Sequence, residues 1–280
     1  MPNPFVDPLV ENVDSDATSD LARIEATTDG MATIWINRPD RKNAFDSLTI
    51  AALSQAFETV RGAEGVRIVF VRGVGGEFSA GADLDWMAHA AELSQADNRA
   101  DAMAMAQMLA TLADIPALTV ALVEGGAFGG GAGLVAACDT AVATASARFA
   151  FSEVKLGLLP ATISPYVVAA IGPRAAKALF ATARVFDAAY AEKIGLVDEV
   201  VEDAAALEAA KARMAREIMA CAPGAVAEAK RLVRDVWAKP IDHALMDETA
   251  RRIAHARVAE EGREGVTAFL AKRKPSWAAG

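Results

Sequence analysis

At 280 residues, 53% of them hydrophobic, the chain is long enough to bury one sizeable core, alone or with an appendage. No uninterrupted apolar run reaches the ~18 residues a membrane-spanning helix needs, which argues against a membrane protein. The net charge is −9 and Lys and Arg form no long stripe, which argues against nucleic acid as the main partner.

Residues 1–20 open with Pro2, Pro4 and Pro8, then Glu11, Asp14, Asp16 and Asp20, and no basic residue precedes Arg23. This predicts a mobile acidic tail, without the basic-then-apolar order of a targeting signal. Residues 21–27 and 31–37 flank Asp29-Gly30, a hairpin-turn pair. Asp46-Ser47 can cap a following helix, with Leu48, Ala52, Leu53 and Phe57 along its buried side. Residues 66–71 read as a buried strand, running into Gly73, Gly75, Gly76 and then Phe78-Ser79-Ala80-Gly81-Ala82-Asp83-Leu84. Trp86, Met87 and the polar stretch to Asp97 predict a loop or short helix over a site. Met105, Met108, Leu109 and Leu112 sit at i, i+3, i+4 and i+7, an amphipathic helix stopped by Pro116.

Residues 117–123 are a second buried-strand candidate, and strands alternate with helices to about Val201, an α/β pattern with crossover connections. From Asp203 onward the chain reads as helical. Leu207, Met214, Ile218 and Cys221 share a face, Pro223 breaks the run, and Val226, Leu232, Val233 and Val236 resume it. So much apolar helical surface needs somewhere to be buried. The division expected is a tail over 1–20, a core over 21–202 and a helical region over 203–280. Cys138 and Cys221, in apolar helical contexts, read as reduced packing residues of a cytoplasmic protein.

The most informative stretch is Phe128-Gly129-Gly130-Gly131-Ala132-Gly133, between the strand of residues 117–123 and the apolar run 134–137. Strand, glycine loop and helix together aim free backbone N–H groups and a positive helix end at one point. Such a point binds phosphate, or stabilises an oxyanion formed in a reaction. A P-loop is ruled out, because neither glycine pair at its spacing is followed by Lys and a hydroxyl residue. Gly131, Gly133 and Ala136 do satisfy the dinucleotide pattern, with Glu153 downstream, which would make the protein an NAD-dependent oxidoreductase. Seven residues, 124–130, separate that pattern from its strand, where the fingerprint should follow at once.

Asn37-Arg38-Pro39, Asn43-Ala44-Phe45, Phe78 to Leu84, Gly129-Gly130-Gly131, Phe151-Ser152-Glu153 and Gly157-Leu158-Leu159-Pro160 together resemble the crotonase family, the enoyl-CoA hydratases and isomerases. The resemblance runs from about Leu21 to Pro275. Residues 78–87 and 161–167 look like its bacterial methylglutaconyl-CoA hydratase branch, which works in leucine or acyclic-terpene breakdown. It implies an α/β spiral of ββα repeats, with the C-terminal helices making a trimer or a dimer of trimers. Some members of the superfamily are instead binding or scaffold proteins, one of them on RNA; the acidic balance speaks against that role here.

The resemblance also implies the chemistry. Water attacking the β-carbon of an enoyl thioester pushes charge onto its oxygen, and the Ala82 and Gly130 N–H groups would receive it. Glu153 would be the acid/base, its pKa raised among apolar neighbours. The second glutamate of the two-glutamate hydratases would fall at Gly133, which leaves a one-glutamate hydratase, or a Δ3,Δ2-enoyl-CoA isomerase as the alternative. Arg38, Arg41 and Lys42 would lie near the CoA phosphates, and Ala80, Ala82, Asp83 and Leu84 along the adenine and pantetheine. Phe269 and Lys272 would come from a neighbouring subunit. Asp85, Trp86, Met105, Met108 and Gly133 are candidates for the acyl pocket, although the methionines read first as core packing. No cofactor is expected beyond the CoA of the substrate. The scattered His89, His243 and His255 suggest no metal.

Overall fold

The computed structural model describes residues 20–278, so the expected acidic tail, apart from Asp20, lies outside the described residues. Strands β1 (Ala22–Ala26) and β2 (Met31–Ile36) form the expected hairpin, with Gly30 at φ 89° in its turn. Helix α1 (Ser47–Gly62) starts where the Asp46 carboxylate accepts the Thr49 N–H. Ala52, Leu53 and Phe57 are buried as expected, but Leu48 is 53% exposed. Leu48 stands in the first turn, before the buried stripe of Thr49, Ile50, Ala52 and Leu53 begins.

Strand β3 (Ile68–Gly73) follows, two residues later than the apolar run suggests, because Val66 and Arg67 lead in from the turn. Helices α2 (Leu84–Ala90) and α3 (Gln95–Ala113) lead to β4 (Leu118–Val123) and the short β5 (Gly126–Phe128). Next come α4 (Gly130–Ala137), β6 (Thr140–Thr144), β7 (Arg148–Ala150), α5 (Ser164–Thr182), β8 (Phe186–Asp187), α6 (Ala188–Ile194) and β9 (Glu199–Val201). The helices α7 (Ala204–Met219), α8 (Pro223–Val236), α9 (His243–Val258) and α10 (Glu260–Leu270) complete the chain.

The large sheet has the order β1-β2-β3-β4-β6-β9, parallel throughout except at the β1–β2 hairpin. A smaller sheet pairs β5, β7 and β8, and single bridges Ser79↔Ala127 and Phe45↔Ala82 extend its pattern. Each turn of the chain thus lays one long strand in the large sheet, one short extended segment beside it, and a helix. That is the crotonase spiral.

Period-two alternation sends successive strand residues to opposite faces. Val69, Val71, Ala121, Val123, Ala141 and Ala143 pack into the main core, with α1 and α3. Ile68, Phe70, Val120, Leu122 and Val142 form a second core, closed by Leu207, Ala210 and Ile218 of α7. Both faces of the central strands are therefore covered, which explains why β3 and β4 read as continuous apolar runs. Met108 has no exposure and belongs to the main core, so it lines no acyl pocket. Cys221 lies beyond the end of α7 and is exposed, not packed as its neighbours suggested.

Candidate active site

The extended segment after β3 alternates in burial. Ser79, Gly81 and Asp83 are buried, Ala80 and Leu84 are exposed, and Ala82 is half-buried. Phe45 pairs with this segment: its N–H donates to Gly81 O at 2.7 Å, and Asp83 N donates to Phe45 O at 2.8 Å. A parallel bridge made this way turns the N–H of Ala82 to the other side, where it meets no acceptor among the described residues.

Gly130 is the first residue of α4, so its N–H has no partner within the helix. The preceding Gly129 has φ 49° and ψ −117°, and a Cβ there would lie 3.2 Å from Glu153 Oε1. Glycine meets both the dihedral and the space requirement. Its N–H donates to Ala150 O at 2.9 Å, tying the loop to the strand that leads into Glu153. Gly81 backs onto the same loop, since a Cβ on it would sit 2.7 Å from Phe128 O. The two donor loops are therefore in direct backbone contact. The Phe45 ring packs against Gly130, whose Cβ would lie 3.1 Å from the ring, so one residue touches both loops.

Glu153 opens a 3-10 turn after β7, half-buried, with Oε2 buried and lacking any hydrogen-bond partner among the described residues. Burial pushes its pKa above the ordinary glutamate value, only partly opposed by its own backbone N–H. A carboxylate with one buried oxygen unpartnered, lying against the glycine that precedes the free Gly130 N–H, is placed for proton exchange next to a hydrogen-bond donor.

The other expected site residues sort by geometry. Met105 reaches this region, its Cε 2.9 Å from where a Gly130 Cβ would be. Trp86, on α2, is half-buried against the main core. Gly133 is buried, and a Cβ on it would lie 2.7 Å from Ile163 Cβ, so the buried Ile163 fills the space beside it and neither presents a surface to an acyl group. Asp85 is 78% exposed and pairs with Arg41 at 3.1 Å, which turns it outward instead of toward an acyl group. Arg38 and Asp83 pair with each other at 3.0 Å, so their charged ends face into the protein and not a nucleotide. Lys42 is exposed, 4.0 Å from Glu77. Phe269, near the end of α10, is 81% exposed, and Lys272 lies just beyond that helix. Sequence reasoning missed Phe45 as the spacer and Ile163 as the residue over Gly133. Both stand within motifs of the sequence, Phe45 in residues 43–45 and Ile163 in residues 161–167, but nothing local links Ile163 to a position thirty residues earlier.

A half-buried glutamate on the turn after β7 thus lies against a glycine loop whose backbone touches a second loop, on a fold of the expected spiral type. The chain belongs to the enoyl-CoA hydratase/isomerase family, whose sequence profile matches residues 26–280. An enoyl-CoA hydratase structure from Shewanella pealeana superimposes with TM-score 0.89 and 38% identity, covering 94% of this chain and all of that one. An enoyl-CoA hydratase of Alternaria alternata is 32% identical over 89% of this chain and 81% of its own length. The mitochondrial methylglutaconyl-CoA hydratase of Homo sapiens is 31% identical over 91% of this chain and 75% of its own. Among the described residues no helix is long and apolar enough to cross a membrane.

Proposed function

We propose that the protein hydrates a 2-enoyl-CoA thioester, with Glu153 as sole acid/base and the N–H groups of Ala82 and Gly130 holding the thioester oxygen. The observation that carries this is the Glu153 carboxylate lying against Gly129, its buried Oε2 without a partner among the described residues, one residue from the Gly130 donor. Glu153 takes a proton from water as its oxygen attacks the β-carbon. Charge moves to the thioester oxygen, and the same carboxyl returns the proton to the α-carbon on the same face. The exposed Ala80 and Leu84, flanking Ala82, offer one edge to adenine and pantetheine, while Lys42 and Arg41 offer charge to the phosphates.

The acyl group proposed is short and branched, of the methylglutaconyl kind, because one carboxylate doing both proton transfers leaves more of the work to substrate positioning. The human relative, by name a methylglutaconyl-CoA hydratase, supports that choice, and leucine or acyclic-terpene breakdown is the setting the sequence resemblance implies. A trimer or dimer of trimers would cover the apolar residues α8 to α10 leave exposed, among them Val233, Ile253 and Phe269, and would bring Phe269 and Lys272 to a neighbour's nucleotide. A cytoplasmic setting suits the unpaired Cys138 and Cys221.

The second reading is Δ3,Δ2-enoyl-CoA isomerisation. The Gly133 position favours it, since the buried Ile163 fills the space beside Gly133 and leaves no room there for a second carboxylate. A panel of 2-enoyl and 3-enoyl thioesters, with products weighed by mass spectrometry, decides. Gain of one water supports hydration; an isobaric shift of the double bond with no water gained on any substrate overturns it.

A further inference from the structure

Two helix caps share one guanidinium. Asp46 caps α1 through Oδ1, which accepts Thr49 N at 2.8 Å, and Asp83 caps α2 through Oδ1, which accepts Asp85 N at 2.8 Å and Trp86 N at 3.3 Å. The other oxygen of each carboxylate faces Arg38, Asp46 Oδ2 at 3.0 Å from Nη2 and Asp83 Oδ2 at 3.0 Å from Nη1. Nη1 also donates to Ala44 O at 3.1 Å. The Arg38 backbone is fixed in turn, its N–H donating to Asn43 Oδ1 at 2.9 Å, while Asn43 Nδ2 donates to Val74 O at 2.9 Å and Glu77 O at 2.6 Å.

Asp83 is 3% exposed and follows Ala82 directly. Burial pushes its carboxyl up, but the N–H groups of Trp86 and Asp85 and the charges of Arg38 and Arg41 outweigh that and hold it below the ordinary value. A planar fork can meet two carboxylates at once, whereas an ammonium meets them as a point charge. We propose that Arg38 is a positioning residue: by joining the caps of α1 and α2 it fixes the Ala82 N–H relative to the Gly130 N–H and holds Trp86 in place. The inference rests on the proposed thioester chemistry, and it assigns Arg38 no contact with CoA.

The test compares wild type, Arg38→Met, Arg38→Lys and Asp83→Asn on a CoA thioester and on the N-acetylcysteamine thioester, which lacks the nucleotide. A conjugated cinnamoyl thioester, whose absorption moves to longer wavelength as its carbonyl is polarised, reports on the donors directly. Arg38→Met should lower kcat about 10–100-fold, less than the ~10²–10³ of losing an oxyanion donor outright because the donor is displaced and not removed, equally on both thioesters, with KM changed less than about threefold. The red shift of the bound probe should shrink, and Arg38→Lys should restore part of both. Asp83→Asn keeps a capping oxygen while removing the charge, so it carries the test should Arg38→Met fail to fold. It too should lose kcat and red shift. Unchanged kcat and red shift in Asp83→Asn, or a loss in Arg38→Met confined to KM on the CoA thioester, overturns the inference alone. A wild type that neither turns over nor red-shifts any thioester overturns the functional reading and this inference with it.

Discussion

Ile163 occupies the space that a side chain at Gly133 would need: a Cβ there would meet Ile163 Cβ at 2.7 Å and its Cγ2 nearer still. Room for a larger side chain at Gly133 is therefore closed by Ile163, the residue that leads into α5. Gly133→Ala should cost about 1–3 kcal/mol, the usual penalty for overfilling a packed site. Ile163→Ala should recover part of that loss in the double variant, giving a coupling measurable in a denaturant double-mutant cycle. Additive losses would mean that the two residues do not compete for space.

Phe45 holds Gly81 and Asp83 through its backbone and rests its ring on Gly130, so it sets the spacing of the two donors. Phe45→Leu keeps an apolar side chain but shortens that spacer. We expect kcat to fall on the order of 10-fold, since small misplacements of reacting groups carry large rate penalties. KM should change little. A rise in KM at constant kcat would make Phe45 a binding residue instead.

Much of this arrangement was legible beforehand. The Asp29-Gly30 hairpin, the Asp46 cap, the strand before the glycine loop and the buried setting of Glu153 follow from local rules of turn, cap and burial. What sequence could not show is long-range partnership. Arg38 and Lys42 look alike as charges near a motif, yet Arg38 has two carboxylates waiting, from 8 and 45 residues onward, while Lys42 is left largely to solvent. Asp85 was misread because a short helix turned it toward Arg41, and Cys221 because its helix ends before reaching it.

Glu153 also carries a stability signature. Its folded-state pKa is raised by burial, so the folded state binds the proton more tightly than the unfolded one. That contribution is complete below the unfolded value, near 4.3, and is lost as pH rises through the raised folded value. At pH 7 Glu153→Gln should therefore melt higher than wild type, by a Tm shift on the order of 2 °C. The advantage should shrink as pH falls, in melts recorded from pH 8 to 4. A wild type more stable than the variant at pH 7 would show the carboxylate to be paired. The acid limb of kcat/KM should likewise lie above the ordinary glutamate range, because the mechanism needs the carboxylate.

At the C-terminal end, Glu264 accepts from Arg273 at 2.7 and 2.8 Å and from Ser276 N at 2.8 Å, and these bonds draw its pKa down to about 2. A lowered folded value means the clasp contributes fully above the unfolded value and is lost as pH falls toward about 2. Glu264→Gln at neutral pH should loosen the following segment, where Trp277 Nε1 donates to Ala220 O at 3.2 Å. Amide exchange at Ser276 and Trp277 should accelerate while the sheet stays protected. Unchanged exchange there would show that the Trp277 contacts, its Nε1 with Ala220 O and its carbonyl with Arg67, hold the end without Glu264.

The central claim is that one carboxylate, Glu153, moves both protons of the hydration. A 2-enoyl-CoA turned over in isotopically heavy water tests it most directly, with the product read by mass spectrometry for wild type and Glu153→Gln. Wild type should place one labelled hydroxyl on the β-carbon and one solvent-derived hydrogen on the α-carbon. Glu153→Gln should do so ~10²–10⁴-fold more slowly, the usual contribution of a positioned acid/base. Labelled product formed by Glu153→Gln at close to the wild-type rate would contradict the claim and give the chemistry to another group.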